Sequence, residues 1–541
     1  MVYPGGPSRG CYTCRARKVK CDEMKPVCER CIKGNRTCGG YRILDNKSTA
    51  NKRSSPEQSR PDFTASAQKN GVPLAARLEG SSISPYILFG QNPREDHAKL
   101  AAFYGQIIRL PQAQRLHGGI LTTLPTVLAG LQQPLSSPLP SALTALLLTF
   151  VSEKGNESDR ESATAAMACY GKALQLTRQL VEERRIERAT ELVMTIFVLG
   201  MYEDFTLEDH TKFTSNSHLE GVKAFVKMHT CKNFDDDTNR RIHTALLSRA
   251  LFTCFDDIKD NALFIFTIDE LYLLYGALLK EKDADILNTY TCALLLIHLQ
   301  LRQLETNIWS PFPSDGVTVT IVVAAAQANV FLETISSLEK KMSEWPESIP
   351  PEWKYMTIQL ASDDRIDLWS TDAHIYSTFL AVNEWSRYRT LQILIHSLRL
   401  RAYRLLADSL CYYNSSPIEY NSTQLAHLAS NIAKAHSGIR SLTKDICASI
   451  PYHIGYKTRS VTGLRYPSDV FPNGKYARLM SACHVAWPLY VAGIVEGVDV
   501  AQRLWIARQL DFIKSEMGIG KAAVLAELVR GAAALESHNM L

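Results

Sequence analysis

Six of the thirteen cysteines fall between positions 11 and 38, spaced Cys11-x2-Cys14-x6-Cys21-x6-Cys28-x2-Cys31-x6-Cys38. The last three repeat the first three 17 residues later, so a three-thiolate unit is duplicated. Thiolates packed this closely along an intracellular chain read as metal ligands, and tetrahedral zinc takes four of them. One unit offers three and cannot close a site. Two units offer six, whereas two zinc ions need eight bonds. The count closes when one equivalent cysteine from each half bridges both ions, which predicts a binuclear cluster with pseudo-twofold symmetry and two zinc ions per chain. Three rivals stand beside it. A single four-cysteine zinc would leave two thiolates idle, a disulfide framework needs an oxidising compartment, and a metal-storage module has no use for the basic residues between the ligands.

Those basic residues are unevenly shared. The loop from Cys14 to Cys21 holds Arg15, Arg17, Lys18 and Lys20, four positive charges in six positions. Its counterpart after Cys31 holds only Lys33 and Arg36 and includes Gly34, a poor helix former. Six thiolates and two zinc ions sum to a net negative charge, so part of the basic surplus offsets the cluster; what remains favours phosphate. A short helix starting after Cys14 would project Arg17 and Lys18 from its exposed end toward base edges, while Arg15 and Lys20 meet backbone phosphates. A merely solvated basic face is the bland alternative.

Cys11–Cys38 resembles the fungal zinc binuclear cluster family of transcription factors, in its cysteine spacing, its basic run Arg15–Lys20 and Pro26 in the connecting loop. The resemblance implies bridging by Cys11 and Cys28, and base contact by Lys18 at a CGG-type half-site in the major groove of double-stranded DNA. It further implies a regulator of RNA polymerase II-type promoters located in the nucleus. Transcription machinery or co-regulators are then expected partners, with a small-molecule effector as a further candidate. A second, more degenerate resemblance lies in His218–Val222 and in Trp487–Gly493 with Arg503 and Trp505, which look like that family's helical regulatory domain. Taken alone those apolar motifs are core packing.

The rest of the chain must carry and control such a head. Residues 1–60 hold 14 Lys and Arg against 5 Asp and Glu, whereas the remaining 481 hold 46 against 50. A small basic head on a slightly acidic body is the footprint of a polyanion-binding module joined to something else. Residues 42–90 open rich in Ser, Asn, Lys and Pro with few clustered apolar residues, and read as a flexible basic linker. No apolar a/d seam runs through Tyr41–Pro61, so the head is expected to lack a coiled-coil dimerisation element of its own. From 91 to 535 the pattern is helical, broken by Pro-containing loops near 132–140, 311–316, 345–351 and 466–474. Ile186, Ala189, Val193, Ile196, Phe197 and Gly200 share one helical face, with Glu187, Arg188 and Glu191 off it; Trp385, Tyr388, Leu391, Ile395, Leu398, Ala402 and Leu405 share another. Val317–Val323 is the best strand candidate, though it can equally open a helix. The expected architecture is therefore mostly α: a two-zinc cysteine domain over 8–41, a linker over 42–90 and an all-helical regulatory domain over 91–535.

Other signals fall away. The longest apolar runs are about half a membrane span, and no secretory signal follows Met1. Gly6-Pro7-Ser8-Arg9-Gly10 has the spacing of a hydrolase elbow, with His117-Gly118-Gly119 as an oxyanion-like loop. Both lack the required context, because the serine precedes every strand or helix. Gly518-Ile519-Gly520 follows a helix, not a strand, and reads as a helix–turn–helix joint. The seven cysteines beyond Cys38 read as buried thiols, and the arginines at 387, 389, 399, 401 and 404 as a solvated face. No catalytic constellation emerges, so an enzyme is not expected. The alternative from another class is a zinc-stabilised scaffold or corepressor whose cluster binds protein.

Overall fold

A computed structural model describes residues 13–14, 17–22, 28–34, 123–131, 136–151, 157–183, 188–206, most positions of 242–251, 266–280, 285–308, 317–360, 367–413, 422–454 and 474–539. The linker 42–90, the motifs at 6–10, 117–119 and 218–222, and Cys11, Arg15, Pro26 and Cys38 lie outside the described residues. The chain divides into two compact units, Met1–Gly71 and Val72–Leu541.

In the first unit one short helix, α1 (Glu29–Lys33), follows Cys28. The second unit is built from helices: α2 (Leu124–Ala129), α3 (Pro138–Val151), α4 (Glu157–Glu182), α5 (Ala189–Thr206), α6 (Ile268–Leu278), α7 (Ile286–Ile308), α8 (Val317–Met342) and α9 (Trp345–Ser348). After a two-stranded antiparallel hairpin, β1 (Met356–Gln359) with β2 (Asp372–Ile375), come α10 (Phe379–Tyr413), α11 (Ser422–His453), α12 (Gly474–Ile494), α13 (Val500–Met517) and α14 (Gly520–Asn539). The fold class is thus mostly α, as the periodicity indicates. Among the described residues no helix is long and apolar enough to cross a membrane.

Helix α10 is the centre. Residues 389–395 are buried at every position, which a helix achieves only when neighbours cover it all round. Those neighbours are α7, α8, α11 and α12. Four of the arginines read from sequence as a solvated face, Arg387, Arg389, Arg399 and Arg401, are instead pins that hold them, and this is a correction; Arg404 is exposed, as read. Arg387 bonds Asp285 and Asn288 at 2.9 Å, Arg399 bonds Glu339 of α8 at 2.7 Å, and Arg401 pairs bidentately with Glu305 of α7 at 2.7 and 2.9 Å. Arg404 pairs with Glu496, which follows α12. Arg389 is 1% exposed. A one-dimensional period identifies a face but not the helices that cover it.

Two further expectations change. Val317–Val323 opens helix α8, whose buried Ala324, Ala328, Ile335, Leu338 and Met342 recur at helical spacing and outweigh the β-branched start. Glu191, placed off the apolar face, is buried because it takes both Arg188 N–H groups at 2.7 Å and a bond from Ser137. The α13–α14 joint is as expected: Gly518 sits at φ 74° and caps α13 in the left-handed region that glycine adopts without strain. Cys292 and Cys447 are buried thiols, while Cys169 and Cys483 are half-buried.

Three buried histidines make the body acid-sensitive. Burial, helped by Arg401 at His298, by Arg389 at His374 and by His484 at His453, pushes each imidazole down to about 3 from 6.5. The folded state holds them neutral, so their contribution is intact above pH 6.5 and is lost as pH falls toward 3. Each costs on the order of 2 kcal/mol at pH 5. The urea midpoint of the body should therefore fall steeply between pH 7 and 5; a flat midpoint would show that these imidazoles accept protons in place.

Candidate metal centre and nucleic-acid interface

The cluster residues are held by a tight chain reversal after Cys14 and by a side-chain clasp between Asp22 and α1. Thr13 and Cys14 are helical, and the Arg17 amide donates to the Thr13 carbonyl at 3.2 Å. The Val19 amide then reaches back to the Cys14 carbonyl at 3.0 Å, the six-to-one bond of a Schellman C-cap. Such a cap needs one left-handed residue, ordinarily glycine; here it is Lys18, at φ 52°. Lys18 is the one non-glycine residue with positive φ among those described. The conformation costs about 1–2 kcal/mol for an L-residue. Val19 offsets part of this by packing against Cys14, Cys28 and Cys31.

The clasp seats α1. Its first amides would be orphaned, but the carboxylate of Asp22 takes both: Oδ1 accepts from the Glu29 amide at 3.1 Å and Oδ2 from the Arg30 amide at 2.8 Å. Arg30 answers by donating Nη1 to the Lys20 carbonyl at 2.9 Å. Asp22→Ala should therefore weaken the domain by about 1–2 kcal/mol, read as zinc leaving at lower chelator concentration; unchanged chelator resistance would show that the cap is dispensable.

The sulfurs fit zinc. Bonds of about 2.3 Å in a tetrahedral site set its sulfurs about 3.8 Å apart. Cys14 Sγ lies 3.6 Å from Cys28 Sγ and 3.9 Å from Cys31 Sγ, and all three thiols are buried. A disulfide would bring two sulfurs to about 2.05 Å, and these cysteines are free. Two ligand groups form, Cys14–Cys28–Cys31 and Cys21–Asp22–Cys28, each with donor atoms within 4.8 Å of one another. Because the Asp22 carboxylate already serves the α1 amides, the second group offers chiefly its sulfurs. Cys28 belongs to both groups, as a bridging ligand must. The Cys31 amide donates to Cys28 Sγ at 3.3 Å, a contact that favours a thiolate there.

Residues 9–48 match the family description "Fungal Zn(2)-Cys(6) binuclear cluster domain". The chain carries a fungal binuclear zinc cluster domain. A domain of this kind binds two zinc ions, and Cys14, Cys21, Cys28 and Cys31 are the described residues placed to hold them. Among similar proteins, an uncharacterized transcriptional regulatory protein of Schizosaccharomyces pombe is 51% identical over 82 residues, 15% of this chain and 12% of that protein. Arginine metabolism regulation protein II of Saccharomyces cerevisiae is 65% identical over 34 residues, 6% of this chain and 4% of its own length. An aspercryptin biosynthesis cluster-specific transcription regulator of Emericella nidulans is 44% identical over 63 residues, 12% and 9% of the two chains. The matched stretches thus span a small fraction of each relative. No solved structure matches.

Around the binuclear cluster domain the cations divide into two sets. Arg17, Lys18 and Lys20 are exposed, and their side chains make no hydrogen bond or ion pair among the described residues. In the other half Lys33 is paired with Glu29 at 2.7 Å and Arg30 is bound to the Lys20 carbonyl. Among the described residues, the first half thus presents free charge and the second pairs its charge within the domain. Sequence reasoning missed Asp22 and Arg30, whose partners lie seven to ten residues away in the chain.

The second motif resemblance finds a structural explanation. Trp487–Gly493 lies in α12, and the guanidinium of Arg503 closes that helix's end, donating to the carbonyls of Gly493, Val495 and Val498 at 2.6, 2.7 and 3.0 Å. Gly493 is where α12 approaches α14: a Cβ there would stand 2.7 Å from the Val529 side chain.

Proposed function

We propose that this chain is a nuclear, sequence-specific DNA-binding transcription regulator rather than an enzyme. Its binuclear cluster domain reads a CGG-type half-site in the major groove of RNA polymerase II-type promoters. The observation that carries the reading is the trio Arg17, Lys18 and Lys20, exposed and without a side-chain partner among the described residues, whereas the described cations Arg30 and Lys33 of the second half are paired within the domain. Cys11, Cys14, Cys21, Cys28, Cys31 and Cys38 hold the two zinc ions, which supply the folding energy of so small a domain. Lys18 contacts base edges, with Arg17 beside it; Arg15 and Lys20 meet phosphates. The strained backbone at Lys18 supports its role, since strain that the surroundings maintain collects at functional positions. The three relatives, each named as a regulator, support the same reading. In this arrangement residues 8–41 bind DNA, 42–90 link, and 91–535 regulate. Co-regulators would dock on the body. A small-molecule effector would bind the body as well.

The test compares DNA affinities. Lys18→Ala should cost about 1–3 kcal/mol on a selected duplex with little change on random duplex. Lys20→Ala should weaken both alike and flatten the salt dependence by about one unit. Equal weakening of both duplexes by Lys18→Ala would remove its base-reading role. The alternative, a scaffold whose cluster binds protein, predicts no sequence preference at all.

A further inference from the structure

We infer that Arg30 is a specificity-determining positioning residue: by holding the Lys20 carbonyl it fixes the left-handed turn that aims Lys18. The inference rests on the DNA-binding reading above and adds a residue to it from the second half of the duplicated domain.

A left-handed lysine is a costly choice, and it persists only where the surrounding bonds leave the chain no alternative. The Val19 amide, tied to the Cys14 carbonyl at 3.0 Å, closes the loop around Lys18. Two residues beyond Lys18, the Lys20 carbonyl is tied to Arg30 at 2.9 Å, which fixes the direction in which the chain leaves the turn. The first tie belongs to the loop itself, whereas the second comes from α1. Helix α1 is in turn seated by Asp22, which accepts its first two amides at 3.1 and 2.8 Å. Asp22 and Arg30 thus form a reciprocal clasp between the two halves of the domain. Without it the Lys20 end of the loop is free to unwind into the right-handed region, and the Lys18 side chain loses its fixed direction while keeping its charge. Loss of direction harms base reading, which needs geometry, more than phosphate attraction, which needs only proximity. Arg30 is exposed and could instead reach a phosphate itself, so the experiment must separate the two roles.

The full-length chain with Arg30→Ala is compared with wild type for zinc content, for binding to a duplex selected by the wild type, and for binding to a random duplex across salt concentrations. The expected result is two zinc ions per chain and an unchanged random-duplex affinity and salt slope. Affinity for the selected duplex should fall about tenfold, the scale of one charge-assisted hydrogen bond. A parallel loss on both duplexes with the slope reduced by about one would make Arg30 a phosphate contact and overturn the proposal. Unchanged selected-duplex affinity would overturn it too. Should Arg30→Ala release zinc, Arg30→Lys keeps a cation beside the thiolates and carries the same comparison; zinc loss in both variants would make Arg30 structural only. If wild type itself prefers no duplex, the DNA-reading assignment fails, and that outcome is distinct from every result above.

Discussion

Replacing Cys28 by alanine is expected to release both zinc ions and unfold the N-terminal unit, while the helical body keeps its far-ultraviolet circular dichroism. The sulfur of Cys28 is shared by the Cys14–Cys31 group and the Cys21 group, so its loss removes a ligand from each ion at once. Structural zinc contributes about 10–16 kcal/mol of apparent binding free energy to small domains, far more than their own cores supply. Among the described residues of this unit the buried ones are Cys14, Cys28 and Cys31 themselves, with Val19 and Cys21 against them, so the ligands to the metal are also what packs there. Cys31→Ala, which removes a ligand from one group only, should be the milder variant. Elemental analysis of the purified chain decides the matter: a Cys28→Ala protein that retained one firmly bound zinc would show that the two groups do not share this sulfur.

The largest effect expected in the body comes from Arg389→Ala. The guanidinium is 1% exposed and lies within 4.7 Å of the Tyr355 ring centroid, 5.3 Å of Trp385 and 5.9 Å of Tyr376. It donates Nη1 to the Tyr376 hydroxyl at 2.5 Å and bonds His374 Nδ1 through Nη2 at 3.1 Å. Burial works against its charge, but Tyr376, Tyr355 and the more distant Asp445 outweigh that and its pKa stays above the ordinary value. Truncation leaves a cavity at the centre of the helical unit, removes three cation–π contacts and strands two buried polar groups. We expect a loss of about 3–5 kcal/mol. Arg389→Met refills the volume without restoring the donors and should cost about 1–3 kcal/mol. Urea unfolding followed by circular dichroism measures both; an alanine variant within about 1 kcal/mol of wild type would mean that the cage tolerates water in place of the cation.

The contrast between these two sites explains what could be read in the chain beforehand. Zinc ligation is a counting problem over a short stretch, so the spacing from Cys11 to Cys38 and the basic run beside it were legible residue by residue. The helical body was legible as helix, because α5 and α10 carry their apolar residues at a period that survives exchange of neighbours. What covers each face was not legible. Arg389 and Arg401 occupy positions that would be solvated on an isolated amphipathic helix, and only the arrival of β2, α7 and α11 buries the first and half-buries the second. The hairpin escaped for a different reason: β1 is four residues long and mostly exposed, so it shows no alternation. Asp22 and Arg30 escaped because a cap and a clasp leave no periodic mark.

Selection from random duplexes by the full-length protein tests the central claim most directly. The account predicts enrichment of a CGG-type triplet, abolished in the Lys18→Ala chain and retained, with all affinities lower, in the Lys20→Ala chain. Recovery of no common sequence by a protein carrying two zinc ions per chain would contradict it, and would leave the cluster as a protein-binding module.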